Sequence, residues 1–147
     1  INKKNSLQNI MAKIVGITGG IGSGKTTASE YLKNNNFAVH ESDQIVAQMY
    51  NRPKKSFLNF LKKNVSSEVV RNNKISKQKI ANIIFNNTNI RKSLEAYVHK
   101  HVKKSRDSFI KKNNKNKKGI VFVDIPLMLE NKLEKNCDVV LCLIAQK

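Results

Sequence analysis

Ile14-Val15-Gly16-Ile17-Thr18-Gly19-Gly20-Ile21-Gly22-Ser23-Gly24-Lys25-Thr26 decides the reading of this chain. Its first five residues are a short apolar run that stops at glycines, the pattern of a buried strand. From Lys25 the pattern turns helical, with Ala28, Tyr31 and Leu32 at helical spacing and Asn34-Asn35-Asn36 as the stop. Between strand and helix, Gly19 to Thr26 fits G-x-x-x-x-G-K-[ST]. Glycines let successive backbone N–H groups converge on phosphate oxygens. The helix that follows adds the positive end of its dipole. Lys25 would set an ammonium between β- and γ-phosphates, and the Thr26 hydroxyl can ligate Mg²⁺. The loop, with Gly19, Gly20, Ile21, Gly22, Ser23, Gly24, Lys25, Thr26 and Thr27, is therefore expected to bind ATP.

Further along, Phe37-Ala38-Val39-His40 reads as a second strand, so strand–helix–strand implies a parallel crossover. Ile120-Val121-Phe122-Val123-Asp124 is a third strand ending in a carboxylate. Beside the phosphate loop that placement is expected to hold Mg²⁺, an Asp capping a loop or helix being the alternative. Asp138–Leu143 is a fourth strand. Between the second and third strands the periodicity is helical almost throughout, in clusters around Ile45, Phe57, Ile80 and Leu94, with Ser76 as an N-cap. The expected fold is an α/β parallel sheet flanked by helices, with an all-helical insertion. The boundaries are a polar extension over 1–10 and one domain over 11–147. Its core is 11–46 and 119–147, its insertion about 47–112, and its basic loop 111–118.

Signatures of other nucleotide-binding classes are missing. No D-x-x-G follows the third strand, no N-K-x-D occurs, and a motor ATPase needs a larger core. A small core with a helical insertion fits a kinase of a small acceptor. Asp43, just past the second strand, can take the proton from an attacking hydroxyl, with Lys25 as the other catalytic group. It is also a natural N-terminal residue for the helix carrying Ile45 and Met49.

Composition bounds the alternatives. The chain has 147 residues, which suffices for one core, and a formal charge of +18 from 28 Lys+Arg and 10 Asp+Glu. Only 4 of the basic residues are Arg, Trp is absent and aromatics make up 6%. A nucleic-acid patch uses bidentate Arg and interleaved aromatics, so nucleic acid is disfavoured as a partner. The longest clean apolar run, Val139–Ala145, is strand-sized and far below a membrane span. Cys137 and Cys142 read as reduced thiols in or beside a buried strand, which places the expected compartment in the cytoplasm.

The residues resemble the dephospho-CoA kinase family from Met11 to the end. The strand and phosphate loop match that family almost residue for residue. Glu41-Ser42-Asp43 stands for its D-A-D, and Arg91-Lys92-Ser93-Leu94-Glu95-Ala96-Tyr97-Val98-His99-Lys100 for its R-x-x-L-E-x-I-x-H-P. Asp124-Ile125-Pro126-Leu127-Met128-Leu129-Glu130 stands for its D-x-P-L-L-F-E. The resemblance implies transfer of phosphate from ATP to the ribose 3′-hydroxyl of dephospho-CoA, the last step of coenzyme A synthesis. It puts Arg91, His99, Pro126, Leu127 and Glu130 on the acceptor side, although a lone helical His is often only structural. Ala47, Lys77 and Lys100 depart from the family's Arg or His, Arg and Pro at those places. Family members continue into a lid, a last strand and a final helix, which are expected to be missing here. The resemblance also makes the helical insertion the acceptor-binding part. The alternatives are another small-molecule P-loop kinase, for a nucleotide or a sugar, and, ranked after it, a basic nucleic-acid-binding protein that uses the +18 charge.

Overall fold

The computed structural model describes residues 11–20, 22–125 and 132–144. They form two compact units. One takes the residues up to Ser42 and from Arg106 onward; the other is Asp43–Ser105.

The first unit is a parallel sheet. Its strands are β1 (Lys13–Gly19), β2 (Ala38–Glu41), β5 (Ile120–Asp124) and β6 (Val139–Leu143), in the order β2-β5-β1-β6. Every pairing is parallel, with Ile17 opposite Asp124, Glu41 opposite Asp124, and Gly19 opposite Leu143. The two faces alternate along each strand. Val15, Ile17 and Phe122 pack with Leu32 of helix α1 (Lys25–Asn34) on one face. Val121, Val123 and Ile125 pack with Phe109 and Ile110, near the end of helix α5 (Thr88–Asn113), on the other. Val121 and Val123 are almost wholly buried, and each such side chain contributes roughly 1.5–3 kcal/mol.

Three sequence expectations change here. Tyr31 was grouped with the apolar positions of α1 but lies exposed, and Ser29 takes the fully buried place. The fourth strand is not buried: Val139 is 51% and Leu141 44% exposed, β6 having β1 as its one partner among the described residues; Cys142 beside them is exposed too. Finally, Lys111 and Lys112 belong to the last turn of α5 rather than to a loop. Among the described residues no helix is long and apolar enough to cross a membrane.

The second unit carries α2 from Asp43 on (Ser42–Asn51), α3 (Lys55–Asn64), α4 (Lys77–Asn86) and α5 up to Ser105. Met49, Phe57, Leu61, Val69, Ile80 and Leu94 form its core. Phe57 meets Tyr50 edge-on at 5.3 Å, and Phe60 stacks on Tyr97 at 4.1 Å. Ser76 caps α4 as its position suggests, its hydroxyl accepting from the Lys79 N–H. The unit is not purely helical. A 3₁₀ turn at Ser67–Val69 leads into a two-residue hairpin, β3 (Val70–Arg71) and β4 (Lys74–Ile75). Asn72 and Asn73 both take positive φ, as a tight hairpin turn requires.

Candidate functional site

The glycine loop leaves β1 at its C-terminal end and enters α1. Gly24, at φ 84°, occupies the left-handed region and caps the helix with no side-chain partner. The first-turn N–H groups of α1 have no intrahelical acceptors, as at any helix start, and suit an anion. Gly19 is fixed by close approach: a Cβ there would lie 2.6 Å from the Leu143 carbonyl oxygen of the neighbouring strand.

Because β5 lies directly beside β1, its last residue ends next to the loop. Lys25 Nζ stands 3.6 Å from Asp124 Oδ1, both side chains being mostly buried. Thus two site residues chosen from separate motifs meet as an ion pair. Thr26 and Thr27 are exposed at the helix start. Asp124 is held by its backbone too, since the buried Ser42 hydroxyl donates to its carbonyl at 2.8 Å. Asp43 follows in the first turn of α2, with its side chain exposed.

Two further site residues belong to the 43–105 unit. Arg91 and His99 are exposed on α5, and Arg91 pairs with Glu95 at 3.8 Å. Ile21, Pro126, Leu127 and Glu130 lie outside the described residues.

Two pairings carry no signal in the sequence, Lys33 with Glu41 and His40 with Arg106. Lys33, near the end of α1, forms an ion pair with Glu41 at the end of β2. His40 and Arg106 are both buried on the α5 face. Burial pushes the His40 imidazole below its usual value, the Arg106 charge pushes it further, and Glu41 opposes both. Burial likewise raises the Cys137 thiol. A buried His after two apolar residues carries no local signal, because its neighbours come from a helix far along the chain.

A parallel sheet with a glycine loop between strand and helix, and a lysine set against the carboxylate of the adjacent strand, defines a P-loop nucleotide-binding protein. A family model described as CoaE, dephospho-CoA kinase, matches residues 13–147. The chain belongs to the dephospho-CoA kinase family. It is 33% identical over 133 residues to the dephospho-CoA kinase of Bartonella quintana, covering 90% of this chain and 67% of that one. It is 33% identical over 135 residues to that of Fusobacterium nucleatum, covering 90% and 66%. The solved structure of TT1252 from Thermus thermophilus superposes with a TM-score of 0.69 at 26% identity, over 90% of this chain and 65% of that one. A dephospho-CoA kinase structure from Campylobacter jejuni shares the fold, with a TM-score of 0.61 at 20% identity, over 89% and 64%. The chain thus spans about two thirds of the length of the relatives it matches.

Proposed function

We propose that this chain belongs to an enzyme that transfers the γ-phosphoryl group of ATP to the ribose 3′-hydroxyl of dephospho-CoA, giving coenzyme A and ADP. The observation that carries the reading is the 3.6 Å approach of Lys25 to Asp124 at the mouth of the glycine loop, in a chain of this family. The loop N–H groups and the start of α1 hold the phosphates. Lys25 exchanges Asp124 for phosphate oxygens as the nucleotide enters.

The donors at the site suit Mg²⁺, which takes one or two carboxylates and completes its shell with phosphates and water. Asp124 offers one mostly buried carboxylate and Thr26 one exposed hydroxyl. These two would hold the ion, which when bound offsets charge on the β- and γ-phosphates.

Asp43 acts as the base. It takes the proton of the acceptor hydroxyl as the O3′–Pγ bond forms and the bond from Pγ to the ADP oxygen breaks. Arg91, His99 and the Pro126–Glu130 segment serve the acceptor on this reading. The compartment is the cytoplasm.

The test is thermal unfolding with Mg-ADP, dephospho-CoA, AMP and shikimate in turn, joined to an ADP-release assay. A ligand of the native state at 100-fold excess over its Kd stabilises by about 2.7 kcal/mol. Shifts with Mg-ADP and dephospho-CoA alone are expected. Lys25→Ala is expected to reduce turnover by about 100-fold or more. A shift with AMP or shikimate in place of dephospho-CoA would overturn the acceptor.

A further inference from the structure

Two carboxylates end neighbouring strands, Asp124 beside the strand that feeds the glycine loop and Glu41 one strand further out. Glu41 and Asp124 are register partners on β2 and β5, so their backbones lie about 4.8 Å apart. Register partners point to the same face. Here it is the face that α1 covers, where Val39 and Phe122 pack two residues earlier in each strand. Helix α1 supplies one lysine to each acid: Lys25 lies at 3.6 Å from Asp124, and Lys33 pairs with Glu41. The Glu41 side chain is only 9% exposed, so its charge is weakly screened. Around it stand Lys33 and, through Asp124, Lys25 on this face; Arg106 and His40 lie on the opposite one.

A polyphosphate brings several negative charges to the loop. Asp124 has a use there, and a second buried carboxylate beside it would only repel the ligand. We propose that Lys33 is an electrostatic positioning residue of the phosphate site: by neutralising Glu41 it keeps a second unbalanced negative charge away from the bound polyphosphate. Lys33 touches neither the ligand nor the reacting atoms; it acts through Glu41. The proposal rests on the reading of the glycine loop as a nucleotide site.

The pair can be broken from either side, and the two breaks have opposite electrostatic signs. Lys33→Met leaves Glu41 charged and is expected to weaken Mg-ADP binding about fivefold at low salt, with a smaller loss at high salt. Glu41→Gln removes the carboxylate and keeps the cation, so binding is expected to tighten about two- to threefold. The double variant should return close to the parent. A merely structural ion pair would move both single variants the same way and show no such salt dependence. Titration calorimetry with Mg-ADP on the parent and the three variants, each first checked for a cooperative melt, reads these shifts. Should Lys33→Met not fold, Glu41→Gln alone decides: tighter binding supports the proposal, and equal or weaker binding overturns it. Absence of Mg-ADP binding in the parent, or binding unchanged by Lys25→Ala, would instead overturn the nucleotide reading beneath it.

Discussion

Gly19 and Ser29 show how narrowly single residues are set around the loop. A methyl group at Gly19 would meet the Leu143 carbonyl at 2.6 Å and the Ser23 hydroxyl at 2.5 Å. The carbonyl belongs to a paired strand and yields only if β6 moves off β1. Gly19→Ala is expected to cost about 1–3 kcal/mol in denaturant unfolding, as overpacking does. Ser29 is the opposite case. It is fully buried on α1, and its hydroxyl has no hydrogen-bond partner among the described residues. Ser29→Ala deletes a desolvated polar group and adds helix propensity, so a gain of about 1 kcal/mol in the same experiment is expected. A loss would mean that the hydroxyl does have a partner.

Elements were legible where their signals are local. The strand–glycine–lysine–helix order of β1 and α1 is contiguous, and the structure has it at the same residues. Ser76 was readable as a cap because Ser before an apolar helical period is a local pattern. The β3–β4 hairpin escaped because each strand has two residues, too few to show alternation, inside a stretch of helical periods. Its one signal was Asn72-Asn73, a pair that tolerates positive φ. Asn73→Ala should therefore destabilise by about 1 kcal/mol while Asn73→Gly costs little, a contrast that melting curves resolve. The strand order and the pairing of Lys33 with Glu41 were not legible. Both come from juxtapositions across the sheet, which no short window contains. The place of the loop between β1 and α1 was readable from its own residues, whereas the encounter of Lys25 with Asp124, 99 positions apart (124 − 25), needed the fold.

At the scale of the whole molecule, two features of the sheet-bearing unit have measurable consequences. The first is His40, buried against Phe109 with Arg106 near. Its folded value lies below the 6.5 of an ordinary histidine, so below that pH the unfolded chain binds the extra proton first. Its contribution to stability is complete above about pH 6.5 and is lost as pH falls toward the folded value. The parent should lose stability more steeply than His40→Gln between about pH 7 and pH 5. Parallel slopes in urea titrations at those pH values would contradict this. The second feature is the seating of β1 between β5 and β6, two strands drawn from the other end of the chain. Lys13 pairs with Ile120, 107 positions later (120 − 13). A ribosome adding roughly 5–20 residues per second needs about 5–20 s to cover that span. For that interval the apolar strand feeding the phosphate loop has neither neighbour yet made, whereas the core of the 43–105 unit is complete once Leu94 is made, before β5 begins. During synthesis the helical unit can settle first, and the nucleotide-binding strand waits as an exposed, sticky segment, an early binding site for chaperones.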